Sequence, residues 1–406
     1  MPHGLDPVSP SAAQPTGNAL IARGKYLTVA ADCAACHTTE GGRPFAGGLA
    51  FKLPFGTIYS SNITPDRENG IGAWSDAEFA RAMRSGVGRH GEDLYPALPY
   101  TSYSLLTNDD VLAIRAYLAT LAPVATPAPA NALFFPFNQR YIMRGWKLLF
   151  LDSKPFEPDP ALGPARNRGA YLVNGLTHCS ECHTPRNLMF ARKQHDALSG
   201  GVVDGWKAWN ITPDKETGIG LWTDAQLISY LSTGYVPGHG AASGSMRQAI
   251  DLSLSHLTVA DIEAIVAYLR TVTPRRTDAA AALTPISAAV KASTAWSPGG
   301  EASDGTGRRI FEGACASCHA WNGNGQQSAL AGLAHSHAVN DPQGANLIHV
   351  ILEGTSATDH AAATAMPSFG AAYTDAEIAA VANYAIAHFG GKQGQVTAKI
   401  VAHARP

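Results

Sequence analysis

No stretch of about 18 or more consecutive apolar residues occurs in the chain, so no membrane-spanning helix is expected. Charge of one sign is also scarce: 30 Lys and Arg against 32 Asp and Glu leave a formal charge of −2. That balance lacks the basic footprint of a nucleic-acid binder. The opening residues, Met1-Pro2-His3-Gly4, begin no basic and apolar leader, so a secretory signal is not expected within this sequence. Cysteine and methionine are both rare, at six each in 406 residues. What is abundant is glycine and proline, 40 and 26 residues, which suits short helices joined by long loops. The length fits three domains of roughly 100–150 residues, and an apolar content of 45% is ordinary for a soluble chain.

No cysteine is spare. The six form Cys33-Ala34-Ala35-Cys36-His37, Cys179-Ser180-Glu181-Cys182-His183 and Cys315-Ala316-Ser317-Cys318-His319. Cys-x-x-Cys-His is the attachment sequence of a c-type haem. Two thiols on one helical turn add across the porphyrin vinyl groups, and the adjacent histidine turns under the ring toward iron. A structural zinc site would need four ligands, usually two such pairs close together. Here the pairs lie 146 and 136 residues apart and their number is odd. Three covalently bound haem c groups are therefore expected, with Cys33, Cys36, Cys179, Cys182, Cys315 and Cys318 as attachment points. His37, His183 and His319 are the proximal iron ligands. Haem c is attached outside the bacterial cytoplasmic membrane, so the sequence reads as a mature or trimmed form acting on the periplasmic side. The polar end from Gly390 to Pro406 makes a membrane anchor there doubtful.

The chain repeats itself. Short helical patterns, Ala22 to Ala31, Arg168 to Asn174 and Gly307 to Glu312, precede the three motifs. Three further helices come later, opening at Thr107, Thr258 and Thr374, each with an acid three residues on. Such a threonine satisfies a free amide and the acid suits the helix dipole. Val111, Ile114, Ala116, Tyr117 and Leu118 match Ile262, Ile265, Ala267, Tyr268 and Leu269, and then Ile378, Val381, Asn383, Tyr384 and Ala385, as one helical stripe. The fold expected is mainly α: three tandem class I cytochrome c domains joined by Pro/Ala-rich linkers. The domains span 17–125, 165–275 and 305–392, with a linker segment at 126–164 and a tether at 276–304. The aromatic stretch Phe134 to Leu151 is expected to pack between domains.

The first two repeats share a loop. Asn62 to Trp74 recurs as Asn210 to Trp222, ten of thirteen residues identical at an offset of 148. Either it shields a haem, with Trp74 or Trp222 reaching a propionate, or it is simply a folded loop.

A methionine sixth ligand raises the potential of a haem. Met246, 63 residues after His183, and Met366, 47 after His319, stand where such a ligand belongs. In the first repeat that place holds Leu98, 61 residues after His37, which cannot bind iron. Met83 falls in a helical pattern and reads as core. His90 in a glycine loop is a substitute, or else the first iron is five-coordinate or takes water. His335 and His337 could lie near the third haem. The other histidines, among them His195, His239, His256, His349, His388 and His403, read as surface or packing residues.

With its three motifs, the doubled Asn-Ile-Thr-Pro-Asp loop, the Tyr95 to Tyr103 stretch and Met366-Pro367-Ser368-Phe369, the chain resembles the triheme cytochrome c subunits of membrane-bound bacterial dehydrogenases over about residues 17 to 400. The resemblance implies an electron relay toward ubiquinone, peripherally associated with the membrane. Its partner would be a large catalytic subunit of quinoprotein, flavoprotein or molybdenum type, with or without a small third subunit. It also implies His37, His183 and His319 as proximal ligands and Met246 and Met366 as distal ones, with Leu98 a departure from the usual methionine. No acid–base or nucleophilic constellation stands out, so the chain alone is not expected to oxidise a substrate. The alternative is a haem enzyme or ligand-binding sensor built on an incompletely ligated first haem.

Overall fold

A computed structural model describes residues 17–277, 305–326, 328–334, 336–355 and 365–405. Of the tether expected at 276–304, residues 278–304 lie outside the described residues, as does His335. The chain divides into two compact units, Met1–Glu157 and Pro158–Pro406.

Each repeat is organised by a leading helix crossing a closing helix. The leading helices are Asn18–Ala30, Gly163–Tyr171 and Thr306–Ile310. The closing helices are Asn108–Leu118, Val259–Leu269 and Asp375–Gly390. A glycine sits at every crossing because the backbones touch there. A Cβ on Gly24, Gly169 or Gly307 would come within 2.2 Å of the carbonyl oxygen of Ala113, Ala264 or Ala380 and against Tyr117, Tyr268 or Tyr384. No other side chain fits this approach. The apolar stripes read from the sequence are buried at these crossings, with Val111 and Ile114, Ile262 and Ile265, and Ile378 all nearly inaccessible.

The threonine caps form as expected. Thr107, Thr258 and Thr374 accept from the amides of Asp110, Asp261 and Glu377. Glu377 also reaches back to its threonine amide, closing a capping box. The shorter aspartates serve instead as partners for the leading helix: Arg23 pairs with Asp110, and Arg168 grips Asp261 through two bonds of 2.8 and 2.7 Å. In the third repeat Thr306 stands where those arginines stand, which leaves the acid free to cap.

The leading helices differ in extent from the sequence reading. The second and third run into π-helical turns, Leu172–Leu176 and Phe311–Cys315, directly before or into the motif. Such a turn adds a residue to the helical register and so re-aims the side chains beyond it. Small hairpins also appear that helical periodicity could not reveal. Ala50–Leu53 pairs antiparallel with Gly56–Tyr59, which pairs with Ala132–Leu133. Gly201–Val203 pairs with Trp206–Ala208 in the second repeat.

The segment expected to pack between domains is tied to the first repeat. Arg144 and Lys147, in helix Ile142–Phe150, both pair with buried Asp93, and Tyr95 donates to the carbonyl of Phe137. Trp146 is buried against Tyr100, while Phe135 and Leu148 are 76% and 86% exposed. The chain end folds onto the third repeat, where Arg405 binds Asp375 and the carbonyl of Tyr373.

Candidate haem-attachment sites

Each Cys-x-x-Cys-His motif ends in a short helical turn: Cys33–His37, Ser180–His183 and Ala316–His319. The second thiol and the histidine of each repeat thus share one turn, with the first thiol inside it or directly before it, and no disulfide joins the six cysteines. Burial pushes the Cys33 thiol up to about 12 and that of Cys315 to about 11, and raises Cys179 as well. A redox or metal-binding thiolate needs the opposite environment. These are thiols held protonated in apolar surroundings.

The three histidines share one geometry. Nδ1 of His37 lies 2.6 Å from the carbonyl of Ser61, that of His183 2.6 Å from Trp209, and that of His319 2.6 Å from Ala331. A carbonyl can only accept, so Nδ1 carries the proton and donates. Nε2 is left as a lone-pair donor, the arrangement that orients a histidine for a metal. Burial lowers the basicity of all three rings, partly offset by that same hydrogen bond, so the neutral form prevails. The backbone repeats too: the carbonyls of His37, His183 and His319 accept from Gly47, Gly200 and Gly325. This donor set fits a c-type haem in each repeat. Thiols would hold the porphyrin edge, and imidazole Nε2 would face iron.

The carbonyl acceptors were not legible in the sequence, although a signal stood beside two of them. Ser61 and Trp209 immediately precede Asn62 and Asn210, the first residues of the doubled loop. Buried Asn62 accepts from the amide and hydroxyl of Thr64 and donates to the carbonyls of Val124 and Thr126. Asn210 repeats this with Thr212 and the carbonyl of Arg275. Further along, Asp66 and Asp214 each accept two loop amides. The loop is therefore pinned to the chain beyond the closing helix, and its first peptide is held against the histidine. The third repeat lacks the loop and places its acceptor only 12 residues after His319.

Trp222 is buried and its indole nitrogen has no hydrogen-bond partner among the described residues. Its ring stacks on His239 at 3.9 Å, and Trp209 stacks on His337 at 4.7 Å. His349, read as a packing residue, is buried, stacks on Trp206 and bonds Glu353.

Met366 is half-buried against the third core, its backbone clamped by two hydrogen bonds with Thr355. Met246 is half-buried in helix Gly244–Leu252. Leu98 sits in a turn just before Tyr100–Tyr103. Met83 is core, within helix Asp76–Ser85. His90 is exposed in a turn whose amide donates to Glu92.

Comparison with known proteins gives a family for the chain. The cytochrome c family matches residues 21–122 and 305–385. The chain is 39% identical to the fructose dehydrogenase cytochrome subunit of Gluconobacter japonicus, covering 98% of this chain and 85% of that one. It is 39% identical to the gluconate 2-dehydrogenase cytochrome c subunit of Pantoea cypripedii, covering 96% and 90%. A nicotinate dehydrogenase subunit of Pseudomonas putida is 42% identical over 94% of this chain, which spans only 31% of that protein's length.

Proposed function

The chain belongs to the cytochrome c family, alongside the cytochrome subunits of dehydrogenases, and from that premise we propose that it relays electrons from a dehydrogenase's catalytic subunit to ubiquinone through three haems. The observation that carries the number three is the histidine geometry, the same in each repeat. A bound haem supplies one-electron iron chemistry. The residues of the chain supply everything around it: six thiols for attachment, His37, His183 and His319 oriented by backbone carbonyls, and Met246 and Met366 as distal ligands. The catalytic subunit would be of quinoprotein, flavoprotein or molybdenum type, oxidising an alcohol, aldehyde or sugar on the periplasmic face of the cytoplasmic membrane.

The test is co-purification of the native complex. A pyridine haemochrome assay should count three haems per chain, and the complex should reduce a ubiquinone analogue when given its substrate. The isolated chain should oxidise none of these substrates; turnover by the chain alone would refute the relay reading. A second reading, a ligand-binding first haem, is favoured by Leu98, which offers no sixth ligand.

A further inference from the structure

The helix Ile142–Phe150 is turned inside out with respect to water. Its charge faces the body of the first repeat. Lys147 lies 2.7 Å from the carboxylate of Asp93 and donates to the carbonyls of Ser85 and Gly86. Arg144 reaches the same carboxylate from the rim, and Trp146 goes inward against Tyr100 and Phe150. The opposite stripe, Tyr141, Ile142, Leu148 and Leu149, is left in solvent. A surface helix ordinarily does the reverse, hiding its apolar stripe and wetting its charges.

Phe134 and Phe135, just before the helix, are exposed as well. Turn hydrogen bonds run from them into the helix: the amide of Asn138 donates to Phe134, that of Gln139 to Pro136 and that of Ile142 to Gln139. The stretch 132–151 is thus one block fixed to the first repeat, with its large apolar side chains outermost. Apolar side chains gathered this densely in solvent mark an interaction surface.

Charge and a neighbouring cavity specify what covers it. Residues 132–151 contain Arg140, Arg144 and Lys147 and no aspartate or glutamate. Arg140 lies over the ring of Tyr95 at 4.9 Å and donates to the backbone carbonyl of Asp93, and it pairs with no carboxylate among the described residues. Arg140 also lines a partly open cavity of about 160 Å³ with Tyr95, Asn131, Leu133 and Asn138. The side-chain oxygens of the two asparagines are taken, by the amide of Tyr59 and by Gln139, which leaves their amino groups to donate. A guanidinium and two amide donors with no acid beside them suit a phosphate. Phosphate donors next to aromatic and aliphatic side chains match a phospholipid surface, where headgroups lie directly over acyl chains. Ubiquinone resides in the bilayer, so the relay reading brings the chain to such a surface, and the choice of partner rests on that reading.

We propose that the stretch 132–151 seats the first repeat on an anionic phospholipid bilayer. Phe134, Phe135, Leu148 and Leu149 enter the acyl boundary, and Arg140 holds a lipid phosphate at its cavity.

The test is co-sedimentation of the purified holoprotein with vesicles of phosphatidylethanolamine and phosphatidylglycerol, and with vesicles of phosphatidylcholine alone. Wild type should bind both and prefer the anionic ones. Replacing Leu148→Glu and Leu149→Glu together, at positions that touch solvent, should raise the lipid needed for half-binding by about tenfold or more on both. Arg140→Gln should cost about fivefold on the anionic vesicles only, the share of one cation at such a surface. Leu188→Glu, at a fully exposed leucine of the second repeat, should change nothing. A nitroxide on Gly145→Cys, where a Cβ meets nothing within 4 Å, should gain oxygen accessibility and lose that of a water-soluble relaxant when vesicles are added. Wild type that binds neither vesicle would overturn the proposal, and so would binding that Leu188→Glu abolishes and the paired leucine variant does not. A wild-type dimer that the paired variant dissociates, with vesicle binding unaltered, would give the surface to a second copy and overturn it too. Reduction of a ubiquinone analogue by the complex in detergent, without vesicle binding, would sink this proposal and leave the relay reading standing. Vesicle binding as expected with no quinone reduction would support the lipid surface and sink the relay reading alone.

Discussion

At the scale of the residue, the decisive contrast is among Met246, Met366 and Leu98, three positions of similar place in three repeats. Leu98 and methionine are close in volume, so exchanging them changes chemistry more than packing. Met366→Leu should therefore leave the fold nearly intact, while one haem gains a carbon monoxide difference spectrum and its potential falls, since a thioether raises it. The reverse exchange, Leu98→Met, should abolish whatever carbon monoxide response the wild type shows. A wild-type protein with no such response at all would mean the first iron is already six-coordinate. His90 is a poor candidate for that ligand, because its ring lies on an exposed turn. The motif histidines were plain in the sequence, being joined to their cysteines. Their acceptors were not, because a backbone carbonyl has no residue type.

At the scale of the element, the helix crossings depend on a contact without side-chain atoms. Gly169→Ala would place a methyl 1.9 Å from the carbonyl oxygen of Ala264. Neither backbone can yield without parting the helices, so the cost should reach at least the upper end of the roughly 1–3 kcal/mol typical of overpacking. Thermal unfolding followed at the haem band checks it, with Gly145→Ala as a control, since a Cβ there meets nothing within 4 Å. The threonine caps and apolar stripes of the closing helices were legible from local spacing. The different fate of the acids was not. The side chains of Asp110 and Asp261 bind arginines 87 and 93 residues away, whereas that of Glu377 bonds its own threonine. Only the crossing brings those partners within reach.

At the scale of the whole molecule, the segment at 132–151 shows how one charge can hold a distant stretch of chain. Burial alone would raise the carboxyl of Asp93, but hydrogen bonds and charge from Lys147 and Arg144 outweigh it and hold it below the usual 3.8. A carboxyl depressed in the fold stabilises above its ordinary value and loses that contribution as pH falls through the depressed one. The segment should therefore loosen below about pH 4, seen as a rise in protease cleavage there and a change in Trp146 fluorescence. Asp93→Asn should show the same loosening at neutral pH, at a cost of about 3 kcal/mol for one member of a buried pair removed. Cleavage that ignores both acid and this substitution would show that aromatic packing alone retains the segment.

The sequence by itself determined what is chemically local: three Cys-x-x-Cys-His motifs, the helix caps, the apolar stripes and the doubled loop. Each of these is written in residues a few positions apart, where spacing alone implies contact. Tertiary structure decided what depends on meetings across scores of residues. It sets each Nδ1 against its carbonyl, places glycine at the helix crossings and gives Asp93 its cations. It also brings His337 of the third repeat beside Trp209 and Trp222 of the second. Those meetings follow from how the repeats pack, and packing is a property of the folded chain that no single stretch of it carries.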